Sequence, residues 1–248
     1  MFGCKGLTCD VDVWRSNACL GSGITHKRAP KWLRRWAEQR RTTKVRIAQR
    51  VAEAANPTVR FAGIEKSVVA RDAAAELVDG DFIFLAADSM QSRLVFNALV
   101  HQYVIPGVEV GAKVQVDRDN GDILDVFSVL RPVLPGLGCL WCNELISSAR
   151  LQEEATSTEQ RRRQRYVDDE DVPAPSVITL NAVASAHAVK FYLFNQLGLQ
   201  DAADLRWPFF YPREHEVMYD LPRRDEDCPE CARRLGAGPL VRLPVRGR

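Results

Sequence analysis

Two pairs of cysteines are the residues of this 248-residue sequence most able to do chemistry: Cys139 with Cys142, and Cys228 with Cys231, each spaced Cys-x-x-Cys. Four thiolates brought together by folding form a closed tetrahedral site for zinc. The pairs are much further apart than the roughly 15–20 residues of a contiguous zinc ribbon, so the metal would join two distant segments of one domain. We predict one structural zinc here, with two redox dithiols or ordinary buried cysteines as the alternative.

Composition limits the classes of function. The formal net charge is only +2, because 34 basic residues are nearly offset by 32 acidic ones, so no overall field favours nucleic acid or a membrane. A hydrophobic share of 46% suffices for the core of one large domain. No signal peptide opens the sequence, and polar residues interrupt its most apolar long segment, 172–194. We expect a soluble, cytoplasmic protein without a membrane span.

One local segment, 27–46, is strongly basic: nine basic residues surround Trp32 and Trp36. Such a segment can bind nucleic acid through phosphate contacts and base stacking. It can also form an amphipathic helix with both tryptophans packed inward and the arginines in solvent, which needs no ligand. We favour the helix, and a zinc-containing nucleic-acid-binding protein remains an alternative function.

Hydrophobic periodicity predicts the elements that position these residues. Helices are predicted at 44–55, 69–78 and 92–103, and strands at 58–64 and 81–87. This alternation is typical of an α/β fold with a doubly wound, mainly parallel sheet, in which ligands bind beyond the carboxyl ends of the strands. Asp88 follows the 81–87 strand and would lie at that edge.

The second half of the sequence predicts an antiparallel extension. Predicted strands at 107–116 and 123–129 flank an Asp-Asn-Gly turn, a charged helix-prone segment covers 143–165, a helix covers 176–197, and a hairpin forms from 205–211 and 215–221. The hairpin would deliver the second cysteine pair to the first. The end of the sequence is rich in Gly, Pro and Arg and is expected to be mobile.

An ordered set of short motifs resembles the ThiF/MoeB/HesA family, which is related to ubiquitin-activating enzymes. The motifs are Lys44-Val45, Asn56-Pro57, the 81–88 strand with Arg93, Ile105-Pro106-Gly107, the Arg-Pro-Val-Leu-Pro-Gly run at 131–136, and the two cysteine pairs. The resemblance covers about 43–231. It implies a Rossmann-like fold of the NAD/FAD-binding type. It also implies ATP-dependent adenylation of the C-terminal Gly-Gly of a ubiquitin-like or sulfur-carrier protein, with release of pyrophosphate.

The resemblance also assigns roles to three residues. Lys44 matches the family lysine that approaches the triphosphate, where a cation would offset charge on the departing pyrophosphate. Asp88 matches the aspartate that holds the magnesium bridging the ATP phosphates. Arg93 matches a supporting residue of the nucleotide site. A solvated helix lysine and an aspartate that caps the next helix are the alternatives for Lys44 and Asp88.

The sequence departs from the family pattern in the part that binds the phosphates of ATP. Members begin with a strand and a Gly-rich phosphate turn, but the only candidate here is Gly21-Ser22-Gly23, which has His26 at the third glycine position. No cysteine lies between Cys142 and Cys228, so we do not expect thioester transfer. We therefore expect a fold that is incomplete at its N-terminus and an impaired adenylation activity.

The resemblance divides the sequence into three segments. Residues 1–42 form an unmatched basic segment, 43–232 the ThiF-type domain, and 233–248 a flexible tail. The main alternative to an adenylyltransferase is a non-catalytic half that retains only partner binding and dimerisation. A homodimer or hetero-oligomer is expected in either case.

Overall fold

The computed structural model describes residues 43–117, 120–155, 177–200 and 205–246. The helices are α1 Lys44–Ala55, α2 Arg71–Ala75, α3 Met90–Gln102, α4 Ser148–Ala155 and α5 Ile178–Gln196. The strands are β1 Ile83–Leu85, β2 Gly107–Val116, β3 Ile123–Val133, β4 Trp207–Tyr211 and β5 Glu216–Asp220. A short 3₁₀ helix follows at Gly238–Leu240.

The five strands form one sheet in the order β1-β2-β3-β4-β5. Only β1 and β2 pair in parallel, through the crossover helix α3, whereas β2-β3, β3-β4 and β4-β5 are antiparallel. The fold is therefore mixed α/β with a mainly antiparallel sheet in the described residues. The expected doubly wound, mainly parallel sheet is not confirmed, because the described chain contains one βαβ unit and then continues through hairpins.

The strand predicted at 58–64 is wrong, because these residues join no strand of the described sheet. Most other element predictions are confirmed, including α1, α3, α5 and the β4-β5 hairpin. The predicted helix at 69–78 shortens to the five residues of α2. The segment 143–165 is helical over 148–155, and its remainder lies outside the described residues, as do Gly21-Ser22-Gly23 and most of the basic segment 27–46.

The sheet is covered on both faces. Helix α3 contributes Val95, Phe96, Leu99 and Val100, each at most 1% exposed, to the larger core. Gly107 permits this packing, because a Cβ there would lie 2.6 Å from the Phe96 ring. On the opposite face, α5 buries one stripe at helical spacing, which packs against β2 and β3. This stripe consists of Leu180, Ala184, Ala188 and Phe191.

The end of the chain packs against the domain, contrary to the expected flexible tail. The Gly236 N–H donates to the carbonyl of His101 at 2.9 Å, and the Arg246 N–H donates to the carbonyl of Val69 at 2.8 Å. Leu243 and Val245 contact the larger core. Apolar side chains and backbone hydrogen bonds therefore hold residues 236–246 in place. The domain boundaries themselves remain predictions.

None of the helices in the described ranges is both long enough and apolar enough to cross a membrane.

Candidate metal centre and strand-end site

The four predicted cysteine ligands meet at one point. Their sulfur atoms all lie within 4.8 Å of one another. The Sγ–Sγ distances are 3.5 Å from Cys139 to Cys142, 3.7 Å from Cys139 to Cys228 and 3.6 Å from Cys142 to Cys231. A tetrahedron with Zn–S bonds of about 2.3 Å has edges of about 3.8 Å, so the sulfurs are spaced as zinc requires. The donor set and its geometry both fit a closed zinc site.

Each cysteine pair lies in the loop that follows a strand of the antiparallel part of the sheet. Cys139 and Cys142 follow β3, and the loop is tied to the core because the Leu140 N–H donates to the buried Asn97 side chain at 3.1 Å. Cys228 and Cys231 follow β5. The β3-β4-β5 ladder therefore sets the separation of the two loops, which explains how pairs so distant in sequence converge.

Asn143 joins the two cysteine loops directly. Its side-chain amide donates to the carbonyls of Cys139 at 2.8 Å and Arg223 at 3.0 Å, and its carbonyl oxygen accepts from the Arg223 N–H at 2.8 Å. The loops also touch at Gly138, where a Cβ would lie 2.4 Å from the Arg223 carbonyl oxygen. Only glycine permits this approach. Sequence reasoning missed Asn143, because a bridging amide has no characteristic spacing.

Burial alters the proton affinity of the clustered thiols. Burial raises the pKa of Cys139 to about 12 and also raises that of Cys231. Burial acts on Cys142 as well, but hydrogen bonds, first that from the Asp225 N–H at 3.5 Å, lower its pKa overall. Cys139 and Cys231 therefore stay protonated at neutral pH when no cation is bound. A divalent metal would displace these protons and compensate the thiolates.

Asp88 lies in the loop between β1 and α3 and is exposed. It does not cap α3, because Ser89 does so by accepting from the Ser92 N–H at 3.0 Å. No hydrogen bond or ion pair involves the Asp88 carboxylate within the described ranges. The carboxylate is therefore free to bind a cation, and the capping alternative is wrong.

A second carboxylate occupies the start of α3. The two carboxylate oxygens of Glu154, on α4, accept from the Met90 N–H at 2.8 Å and the Gln91 N–H at 3.0 Å. These donors belong to the positive end of the helix dipole, where a phosphate could otherwise bind. Glu154 therefore fills the anion-binding end of the helix beside Asp88. No local pattern predicts this contact, because the two residues are 64 positions apart.

The guanidinium group of Arg93 forms its hydrogen bonds with groups of the protein itself. It donates to Glu109 at 3.0 Å and, more weakly, to the Leu145 carbonyl at 3.5 Å. Its side chain is 18% exposed and that of Glu109 is fully buried. This buried ion pair is the observed role of Arg93, and its assignment to the nucleotide site stays a prediction.

Lys44 is half-buried at the first position of α1, which is capped by the Thr43 hydroxyl. No hydrogen bond or ion pair links Lys44 to Asp88 or Arg93 within the described ranges. The structure therefore assembles the four cysteines into one site but does not join the three predicted nucleotide residues by direct contact.

Solved structures share this fold, although no protein-family model and no curated protein matches the sequence. They include structures of E. coli MccB. Its succinimide complex covers 77% of this chain at 13% identity with a TM-score of 0.54, and its ATP complex covers 76% at 14% identity with a TM-score of 0.50. The microcin C7 biosynthetic enzyme MccB with N-formylated MccA covers 76% at 14% identity, with a TM-score of 0.51.

This chain spans about half the length of those proteins: 50% of the first two and 52% of the third. At such identities the likeness establishes a shared fold. It assigns no substrate and no site residue to this chain.

Proposed function

We propose that this chain is a ThiF-type adenylyltransferase domain with a structural zinc. The observation that carries the proposal is the likeness of its fold to MccB, which has been solved with ATP and with MccA. Two further features support it: the ordered motifs that resemble the ThiF/MoeB/HesA family, and the four cysteines that close that set of motifs. The proposed partner is a ubiquitin-like or sulfur-carrier protein that ends in Gly-Gly.

In the proposed reaction, a carboxylate oxygen of the partner's C-terminus attacks the α-phosphorus of ATP. The bond between the α-phosphorus and the oxygen that bridges it to the β-phosphorus breaks, and pyrophosphate leaves. The carboxylate thereby becomes an acyl-adenylate. Asp88 would hold magnesium together with ATP, and Lys44 would offset charge on the leaving group. Magnesium would supply charge neutralisation and orientation of the phosphates. The exposed, unpaired carboxylate of Asp88 fits this role.

Zinc would be held by Cys139, Cys142, Cys228 and Cys231 and would act as a structural crosslink. A closed site with four thiolates leaves no open position for a substrate. Its contribution would be to fix the loops after β3 and β5 to each other.

The sequence contains no Gly-x-Gly-x-x-Gly turn, so the backbone cradle for the phosphates has no counterpart in it. We propose that another chain supplies this turn in a hetero-oligomer. The isolated chain should therefore adenylate slowly.

A second candidate function is that of a non-catalytic, partner-binding half. Two observations favour it: Arg93 is held by Glu109, and Glu154 occupies the first donors of α3. Arg93 would have to leave Glu109 before it could contact a nucleotide, and Glu154 would have to leave the Met90 and Gln91 N–H groups before they could do so.

Isotope exchange between pyrophosphate and ATP distinguishes the two candidates. The full chain would be incubated with Mg·ATP and a Gly-Gly-ended ubiquitin-like protein, and partner binding would be measured in parallel by calorimetry. An adenylyltransferase gives exchange that requires the intact Gly-Gly end. Binding of the partner with no exchange would instead support the non-catalytic half.

A further inference from the structure

Three charged side chains form a buried cluster on one face of the sheet. Glu109 on β2 is fully buried and lies directly across from Arg131 on β3 in the antiparallel register. One of its oxygens accepts from Arg93 at 3.0 Å and the other accepts from Arg131 Nη1 at 2.5 Å. The side chains of Arg93 and Arg131 are 18% and 9% exposed. Two guanidinium groups therefore share one carboxylate, and the cluster carries a net charge of +1.

This excess positive charge is not offset within the described part of the chain. No second carboxylate lies within ion-pair distance of Arg93 or Arg131 there. The Nε atoms of both arginines are buried and have no hydrogen-bond acceptor. Buried charges and buried donors without partners are costly, and native proteins pair nearly all of them. The cluster thus lacks one anionic acceptor.

A cavity of about 310 Å³ opens beside this cluster. Half of its lining residues are apolar, among them Trp207, Phe209 and Leu221, and half are polar or charged, among them Arg131, Arg223 and Asp220. The guanidinium of Arg131 lies over the Trp207 and Phe209 rings, at 5.7 and 5.5 Å from their centroids. The volume is at the lower end of that of small-molecule sites, which run from roughly 300 to 1,000 Å³. The cavity therefore combines aromatic and aliphatic walls with two guanidinium groups, that of Arg131, which is 9% exposed, and that of the exposed Arg223.

We propose that this cavity binds an organic carboxylate carried on an aromatic or branched apolar body. The carboxylate would accept a hydrogen bond from Arg131 Nη2, which Glu109 does not use and which, unlike Nε, is not among the fully buried unpaired atoms. It would neutralise the excess charge of the cluster, and the apolar body would pack against Trp207, Phe209 and Leu221. A free small molecule and an acidic side chain of a protein share this chemistry.

Neither Asp88, Lys44 nor any of the four cysteines lines this cavity. The cavity does share Asn143 and Arg223 with the bridge between the cysteine loops, and the adjoining cluster includes Arg93. Asp220 modulates binding: its carboxylate lies on β5 opposite Trp207 and lines the same cavity, so it repels an incoming anion.

Nuclear magnetic resonance of the tryptophan indole N–H groups provides the test. The sequence contains five tryptophans, and the Trp207 signal can be assigned by its loss in Trp207→Phe. The full chain would be titrated with 2-naphthoate and with the uncharged 2-naphthamide. We expect saturable shifts of the Trp207 signal by 2-naphthoate, with an affinity about tenfold or more above that of the amide.

Three variants locate the binding. Arg131→Lys keeps the charge but loses the planar fork, so it should weaken 2-naphthoate binding about tenfold. Asp220→Asn removes the repelling charge from an exposed position, so it should tighten binding roughly threefold. Asp79→Asn makes the same charge change at an exposed residue that does not line the cavity, and should leave binding unaltered. Because Asp220→Asn and Asp79→Asn alter exposed residues, the test does not depend on whether the Arg131 variant folds.

A second titration identifies the source of the carboxylate. The tripeptide acetyl-Phe-Glu-Phe-amide would be compared with its Gln counterpart. Glu-specific shifts that respond to Asp220→Asn indicate an acidic protein side chain, and shifts by 2-naphthoate alone indicate a small molecule. Equal binding of the charged and uncharged forms of both probes, or no shift of the Trp207 signal by any probe, would overturn the proposal.

Discussion

Replacement of Asn143 by alanine should weaken both the fold and the metal centre. The substitution removes three hydrogen bonds: one within the first cysteine loop, donated to the Cys139 carbonyl, and two between the loops, donated to the Arg223 carbonyl and accepted from the Arg223 N–H. A net value of about 1 kcal/mol per bond gives an upper limit of about 3 kcal/mol. The Arg223 groups are accessible to water, which can replace part of the loss. We therefore expect the free energy of unfolding to fall by about 1–2 kcal/mol.

The effect on the metal should be larger in relative terms. Groups that orient metal ligands typically contribute 10- to 100-fold in affinity, and Asn143 contacts the backbone of one ligand while it positions the loop that carries two others. Asn143→Ala should therefore weaken zinc binding about tenfold or more. Asn143→Asp retains the acceptor for the Arg223 N–H but sets a carboxylate oxygen against the Cys139 and Arg223 carbonyl oxygens, so it should weaken zinc binding at least as much as the alanine variant.

The assays are urea unfolding of the zinc-loaded protein and zinc competition with a chromophoric chelator. Asn195→Ala is the control for unfolding, because Asn195 also donates its side-chain amide to a carbonyl but lies on α5. The reasoning fails if Asn143→Ala unfolds at the same urea concentration as the native protein and binds zinc equally well. It also fails if Asn195→Ala reproduces the loss of zinc affinity.

Two further predictions concern the ends of α3. Glu154→Ala leaves the Met90 and Gln91 N–H groups without their carboxylate, so the free energy of unfolding, measured by thermal unfolding, should fall by about 1 kcal/mol. The exposed neighbour Glu153 is the control, and Glu153→Ala should show little change. Equal losses in the two variants would contradict the assignment. At the other end, burial lowers the pKa of His101 from 6.5 to about 4. The unfolded chain therefore takes up this proton first, and stability should fall by up to about 3 kcal/mol as the pH drops from 6.5 to 4. His101→Gln should remove this part of the pH dependence in urea unfolding; an unchanged pH profile would refute it.

The sequence predicted those features that depend on local pattern. The Cys-x-x-Cys spacing identified all four members of the sulfur cluster, because two such pairs in one sequence are typical of a metal site with four cysteine ligands. Helical periodicity located α1, α3 and α5, and the Asp-Asn-Gly turn signal located the hairpin of β2 and β3. These signals need no knowledge of the tertiary fold.

The features that depend on tertiary pairing were missed. The 58–64 segment has strand-like composition but no partner strand in the described sheet, and strand propensity depends on such a partner. The ion pair of Arg93 with Glu109 was not predicted, because only the folded β2 brings Glu109 to Arg93. Glu154 and Asn143 act across many residues of sequence, where no periodicity links donor to acceptor.

The most direct test of the proposed function is pyrophosphate exchange by the full chain and by two variants, with Mg·ATP and a Gly-Gly-ended ubiquitin-like protein. Slow exchange is expected from the native sequence. Asp88→Asn should lower it about a hundredfold, to background, with unchanged zinc content. Asp81→Asn makes the same change at the opposite end of β1 and should exchange like the native chain. Equal exchange by Asp88→Asn and the native chain, or no exchange by any of them while the partner still binds, would contradict the account.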